Sequence, residues 1–306
     1  MMSKVDAPRH DPIPIGEVAA PPFCRLPDPL ALFADRTHRL RGLAQGHELA
    51  PFLKFLSDLT EAQYRIQDEL PEPEMPDADA RKRAREFGMP PLDRNRFTAD
   101  PAYDATLERL LALAATITMP PVAAAALARV TAANPGTREA MMRALLADSV
   151  PIETLAEHVF VAAALQVHFA RLASRLDAEG LVPVGDGACP ACGGPPVASM
   201  VVGWKGAHGT RFCGCALCAT FWHVVRIKCT LCGSTKGIGY EEIDGSGGIV
   251  KAETCDACRG YVKILQQHKQ VDVDVIADDV ASLGLDLLVR EKGYRRGAFN
   301  PFLIGY

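Results

Sequence analysis

Apolar positions recur every three or four residues through the first 180 positions, and this period predicts helices. Asp28-Pro29 reads as a cap and first-turn proline, followed by Leu30, Phe33, Thr37, Leu40 and Leu43 on one stripe. Pro51 opens a second stripe through Phe52, Phe55, Leu56, Leu59 and Ile66. The run Pro71-Glu72-Pro73-Glu74-Met75-Pro76 breaks the pattern, and the charges from Arg81 to Arg85 after it read as a solvated linker. Helical spacing resumes at Tyr103, Leu107, Leu110 and Leu111, again after Pro121, again from Met141 to Leu146, and longest from Ile152 to about Glu179, six helices in all. Gly180 and Pro183 end the last one and mark the main boundary. Beyond it the period shortens to that of strands, with candidates at Val197 to Trp204 and Phe221 to Lys228 and a glycine turn at Gly245-Ser246-Gly247-Gly248. Alternating Val271, Val273 and Val275 then give way to Ile276, Val280, Leu283 and Leu287, a closing amphipathic helix that packs back on what precedes it.

The strand region carries eight of the ten cysteines, in four Cys-x-x-Cys pairs: Cys189/Cys192, Cys215/Cys218, Cys229/Cys232 and Cys255/Cys258. The second two pairs repeat the first two displaced by 40 residues. A soft tetrahedral ion takes four thiolates, and each such turn aims two sulfurs at one point, so two turns close a site. Cys192 to Cys215 and Cys232 to Cys255 each enclose 22 residues, whereas Cys218 to Cys229 encloses ten, which groups first with second and third with fourth. An interleaved arrangement, first with third, stays open. Cys192-Gly193 matches Cys232-Gly233, and Phe221 with Val224 matches Tyr261 with Ile264, as in a duplicated ribbon. A ribbon of about 40 residues buries too little apolar surface to fold alone, so the expected role of the metal is structural. Tetrahedral thiolates suit iron and zinc alike.

Other chemistry fits less well. The N-terminus Met1-Met2-Ser3-Lys4-Val5-Asp6-Ala7-Pro8 shows no apolar stretch leading to a cleavage site, so the expectation is a cytoplasmic chain with reduced thiols rather than a disulfide framework. No strand-helix-strand context surrounds a Cys-x-x-Cys pair, and the glycine turn lacks the Lys-Ser or Lys-Thr of a phosphate loop. At 306 residues, 48% hydrophobic and 23% charged, with a formal net charge of −4, the chain supports more than one domain and carries no bias toward nucleic acid. Leu110 to Ala128 holds nineteen residues without a charge, but Pro120-Pro121 interrupts it, and two short buried helices are expected there instead of a membrane span. His158 and His168 stand ten residues apart on one helix, too far to share an ion. Glu241-Glu242 is the close carboxylate pair near a knuckle, and adjacent strand residues point to opposite faces, so no acid-base constellation emerges.

Two runs carry a family resemblance. Arg211-Phe212-Cys213-Gly214-Cys215-Ala216-Leu217-Cys218 with Trp222-His223-Val224-Val225-Arg226-Ile227-Lys228-Cys229, and Lys251-Ala252-Glu253-Thr254-Cys255-Asp256-Ala257-Cys258 with Tyr261-Val262-Lys263-Ile264-Leu265, closely resemble the formate dehydrogenase accessory protein family, FdhE. Ala277 to Leu283, Gly293-Tyr294 and Asn300-Pro301-Phe302-Leu303 match its closing segments, while the helical half matches by length and character. Cys213 stands where leucine is usual, and Phe221 where an acidic residue often precedes Trp222.

The resemblance implies a cytoplasmic, non-catalytic maturation factor with two tandem rubredoxin-like or zinc-ribbon modules. Its partner would be the catalytic subunit of a respiratory formate dehydrogenase, bound before export. The eight paired cysteines would hold two ions, iron by family or zinc. The alternative is a rubredoxin-like one-electron carrier. The expected organisation is an all-α domain over 1–184, ribbons over 185–226 and 227–269, and a C-terminal helix and tail over 270–306. Trp222, His223 and Arg226, just past a knuckle, are candidate partner-binding residues, with burial of Trp222 an equal alternative. Arg226, Lys228, Lys251, Arg259 and Lys263 are candidates for a basic face, offset by nearby acidic residues.

Overall fold

The computed structural model describes residues 20–303. The reading of Met1 to Pro8 lies outside the described residues. A two-residue strand β1 (Cys24–Arg25) leads into seven helices: α1 (Pro29–Leu43), α2 (Ala50–Arg65), α3 (Ala78–Glu86), α4 (Pro101–Ala114), α5 (Pro121–Ala132), α6 (Pro135–Leu146) and α7 (Leu155–Ala173). The C-terminal half supplies β2 (Pro196–Val201), β3 (Arg211–Cys215), β4 (Phe221–Val224), β5 (Ile238–Glu241), β6 (Val250–Cys255), β7 (Gly260–Gln266), α8 (Ala277–Ala281), α9 (Leu283–Glu291) and β8 (Arg295–Arg296). The architecture is therefore helices first, then a β region bearing two four-cysteine groups, then C-terminal helix.

Asp28 caps α1 by accepting from the amides of Leu30 and Ala31, and Asp100 and Asn134 cap α4 and α6 in the same manner. The helices pack around α7, which is buried on nearly every side, with polar Glu157, His158, Gln166 and His168 enclosed among apolar Phe160, Val161, Leu165, Val167 and Phe169. The charged run Arg81 to Arg85 is a helix, α3, rather than a linker. Asp77 caps it, and alanines at 78, 80 and 84 let it form while its charges stay in solvent. Hence the described residues before β2 hold seven helices and not six. The chain from Leu110 to Ala128 divides between α4 and α5 as the prolines require, but α5 buries only the stripe Ala126, Leu127 and Val130. The longest helix stops at Ala173, and a separate 3₁₀ turn covers Ala178–Gly180. The closing helix is broken in two at Ser282: α8 packs on α1 and α2, and α9 on β6 and β8. Among the described residues no helix is long and apolar enough to cross a membrane.

The two ribbons are not separate beads. Their strands form one sheet in the order β1-β4-β3-β2-β7-β6-β5, with β8 on the free half of β7. Within each ribbon the pairs are antiparallel, and the ribbons join through the parallel pair β2–β7, where Ser199, Met200 and Val201 face Ile264, Leu265 and Gln266. The helical half contributes β1, which pairs with β4 and closes one sheet edge, while β5 ends the other. Burial follows this asymmetry. One continuous apolar core runs from α1 to the first ribbon, whereas the second ribbon has a satellite core of Ala252, Tyr261, Leu285 and Val289.

Candidate metal centres

Each knuckle is a tight turn whose last residue must take a left-handed backbone. The residue after the second cysteine has positive φ in all four: Gly193 (75°), Ala219 (57°), Gly233 (74°) and Arg259 (55°). Glycine takes this conformation without a Cβ clash, so the sequence marks two of the four turns and hides the other two behind Ala and Arg. The backbone bonds repeat as well. Cys189 and Cys229 donate their amides to Gly194 and Ser234, and Gly193 and Gly233 donate back to Cys189 and Cys229. Amides also point at sulfur, from Gly194 to Cys192 Sγ, from Leu217 and Cys218 to Cys215 Sγ, and from Leu231 to Cys229 Sγ, each at 3.4 Å. Such donors favour thiolate over thiol.

The structure brings Cys189, Cys192, Cys215 and Cys218 together in one group and Cys229, Cys232, Cys255 and Cys258 in another, with all sulfurs of a group within 4.8 Å of one another. The grouping is first with second and third with fourth; the interleaved arrangement is absent. Sulfur–sulfur separations are 3.6 Å for Cys189–Cys218, 3.4 Å for Cys192–Cys215, 3.9 Å for Cys229–Cys258 and 3.8 Å for Cys232–Cys255. A tetrahedron of thiolates about 2.3 Å from an ion has edges of about 3.8 Å, so both groups have the size of a tetrathiolate metal site. All ten cysteines are free of disulfides.

Electrostatics point the same way. Burial opposes ionisation of Cys215, yet hydrogen bonds from the thiols of Cys189, Cys192 and Cys218 and from the Cys218 amide draw it well below the usual thiol range. Burial pushes Cys189 up. One anion is thus shared among several thiols, and a cation that took the place of the shared protons would relieve the rest. In the second group burial pushes Cys229 up to about 12, while Cys255, against its burial, is lowered by the amides of Cys258 and Ala257.

The groups differ in exposure. All four cysteines of the first are at most 2% exposed, whereas in the second Cys232 is exposed and Cys258 half-buried. The helical half covers the first group. Leu92 and Arg94 donate their amides to the carbonyls of Ala191 and Cys192, and Gln166 of α7 donates to the Ala216 carbonyl.

The remaining two cysteines lie outside both groups. Cys24 on β1 faces Trp222, and Cys213 on β3 lies between Ser199 and Trp222. Burial pushes each thiol up to about 12, for Cys24 with help from the charge of Cys218. They are packing residues. Trp222 itself is 4% exposed, so of its two readings the structure gives burial. His223 is half-buried with its ring 5.6 Å from that of Phe212, and Arg226 is exposed between exposed Val225 and Ile227.

The basic face does not form. Lys263 is buried between Asp279 and Asp286, and Lys228, Lys251 and Arg259 pair with Asp186, Glu242 and Asp256. Sequence reasoning missed the buried pair Arg211–Glu253, whose two hydrogen bonds are both 2.8 Å, and the cluster of Lys263, Asp279, Asp286 and Arg296. Alternating charge in otherwise apolar strands was their only signal.

The comparisons agree with this architecture. Family models described as FdhE, N-terminal, FdhE, central domain, and FdhE, C-terminal domain match residues 21–186, 188–226 and 227–303. The chain belongs to the FdhE family of formate dehydrogenase accessory proteins. It is 48% identical over 298 residues to the FdhE homolog of Rhizobium meliloti, covering 97% of each chain, and 36% identical over 289 residues to that of Edwardsiella ictaluri, covering 91% of this chain and 90% of that one. The crystal structure of the FdhE protein from Pseudomonas aeruginosa superposes with a TM-score of 0.82 at 34% identity, covering 93% of this chain and 99% of that one.

Proposed function

We propose that this protein is a non-catalytic maturation factor that binds the catalytic subunit of formate dehydrogenase in the cytoplasm before export, and that the eight grouped cysteines are ligands to two metal ions, iron or zinc. The observation that carries the metal reading is the paired tetrahedra of sulfurs. Each supplies four protein ligands, leaving no position at which a substrate or an activated water would bind, so the ions serve structure and recognition rather than Lewis-acid catalysis. The membership in the FdhE family supplies the client. Co-purification from cells expressing the dehydrogenase, with elemental assay of the recovered complex, tests both parts. The expected result is the catalytic subunit together with two transition-metal ions per chain; recovery without the subunit removes the client, and a metal-free native protein removes the ligand assignment.

One observation favours a second reading, that of a one-electron carrier. Cys232 is exposed, which places the second site near the surface, where electron transfer to a partner is efficient. Iron-loaded protein that bleaches and recolours reversibly with reductant and oxidant, and that passes electrons to the dehydrogenase, supports it; a zinc content of two per native chain rules it out.

A further inference from the structure

The two four-cysteine groups sit at one end of the shared sheet, on either side of the parallel β2–β7 joint, and their surroundings differ. In the first ribbon, the knuckle between β3 and β4 lies beside β1, which adds a strand to that edge. The other knuckle of the first group is held by the backbone of Leu92 and Arg94, and Pro90 packs 3.1 Å from where a side chain on Gly193 would begin. The four cysteines join the main apolar core and are at most 2% exposed.

In the second ribbon, the third knuckle precedes β5, the last strand in the order, and among the described residues no strand pairs beyond it. The tail covers one side, where Gly260 and Gly297 leave room for Leu231. Asp186 and Gly187, which lead into the first knuckle, pack against Gly233 and Thr230, and Asp186 pairs with Lys228; beyond them Cys232 is exposed, and so are Thr235, Lys236 and Gly237. Cys229 and Cys255 are buried, Cys258 is half-buried and Cys232 is exposed. The satellite core beneath consists of four residues.

We infer that the two sites divide the work: the first is a locked structural site, and the second is an exchange site, from which an ion passes to a soft-donor acceptor that enters beside Cys232. The inference rests on the reading of the cysteines as ligands given above. Replacement of a thiolate requires the incoming donor to reach the ion. Where one ligand is exposed and a second half-buried this needs only local motion; where all four are enclosed it needs sub-global opening. In the exchange, the acceptor's thiolate or nitrogen donors form bonds to the ion as the four Cys Sγ bonds break one at a time, and the vacated thiolates take up protons from water. No electron moves. An acceptor of this class could be a metal-free cysteine cluster on a client.

The test uses the full chain loaded with two zinc ions and challenged with excess pyridylazoresorcinol, whose colour reports released zinc. The expected course has two phases of one ion each, the fast one on the order of tenfold or more faster than the slow one. The Cys232→Ser variant should lose the fast phase and keep the slow one. Alkylation of the zinc-loaded wild-type chain, mapped by mass spectrometry, should modify Cys232 and Cys258 before any cysteine of the first group, a readout that needs no variant. Release of both ions at one rate, or first modification at Cys189 or Cys192, overturns the division while leaving the ligand assignment intact. A chain that takes up no zinc overturns the assignment, and the division with it.

Discussion

Two residues carry strain or burial that the sequence does not announce. Ala219 holds a left-handed backbone with a Cβ, at the position where the two knuckles marked in the sequence have glycine. That conformation costs an alanine about 1–2 kcal/mol, part of which the extra freedom of glycine in the unfolded chain offsets. Ala219→Gly should therefore stabilise by about 0.5–1 kcal/mol, seen as a higher thermal midpoint. Arg259→Gly should not, because Arg259 also bonds the Lys292 carbonyl at 2.9 Å and stacks 4.0 Å over the Tyr294 ring. The second residue is His168, enclosed by Phe97, Tyr103 and Phe169 with the Asp100 carboxylate 3.6 Å away and Arg171 on the next turn. Burial lowers it from 6.5 to about 4, Asp100 opposing and Arg171 assisting. Between those values the unfolded chain binds the extra proton. The stability contributed by neutral His168 is thus complete above pH 6.5 and lost as pH falls toward 4, a change of about 3 kcal/mol. In urea titrations at several pH values, His168→Phe should flatten this slope relative to the wild type; an unchanged slope would place the proton uptake elsewhere.

The elements divide by how local their signals are. Knuckles are local: two cysteines, a turn and a left-handed residue fit within six positions, so the four pairs were legible in the sequence, while spacing favoured their grouping and the structure decided it. The amphipathic helices were legible for the same reason, with Asp28 visible as a cap. α3 was not, because its sequence Ala78–Glu86 buries only Ala84 and so shows no apolar stripe; a short helix made by a cap and alanines looks like a charged linker. The break at Ser282 was hidden too, since Val280 and Leu283 continue one helical period across it. The second ribbon is the element least able to stand without its ion, given the four-residue core beneath it. Stripping metal from the whole protein with a chelator under mild conditions should therefore raise amide exchange first in residues 229–241 and 255–260, while α7 and β2 stay protected. Equal loss of protection in both ribbons would show that their folding is not separable.

At the scale of the molecule, what sequence spacing hides is the joining of the ribbons. The parallel pair β2–β7 brings together residues more than sixty positions apart, and neither strand announces its partner. The joint is fixed by charge as well as by backbone. Arg211 on β3 reaches across β2 and β7 to Glu253 on β6, with the Ser199 hydroxyl accepting from its Nε and the Tyr240 hydroxyl donating to the same carboxylate. Both charges are essentially excluded from water. Enclosure of this kind contributes little net stability when complete, because desolvation offsets the attraction, but removing one partner strands the other in an apolar layer at a cost of about 3–5 kcal/mol. Against a typical total of about 5–15 kcal/mol, Glu253→Ala should lower the thermal midpoint sharply and release the second ribbon from the first, seen as raised exchange in β5, β6 and β7. Replacing both partners, Arg211→Met with Glu253→Leu, should recover most of the loss, since no unpaired charge remains. If the double replacement were as damaged as the single one, the pair would be acting through geometry that apolar side chains cannot reproduce. If the single replacement were harmless, the backbone ladder of β2 and β7 alone would be holding the two metal centres at their fixed separation.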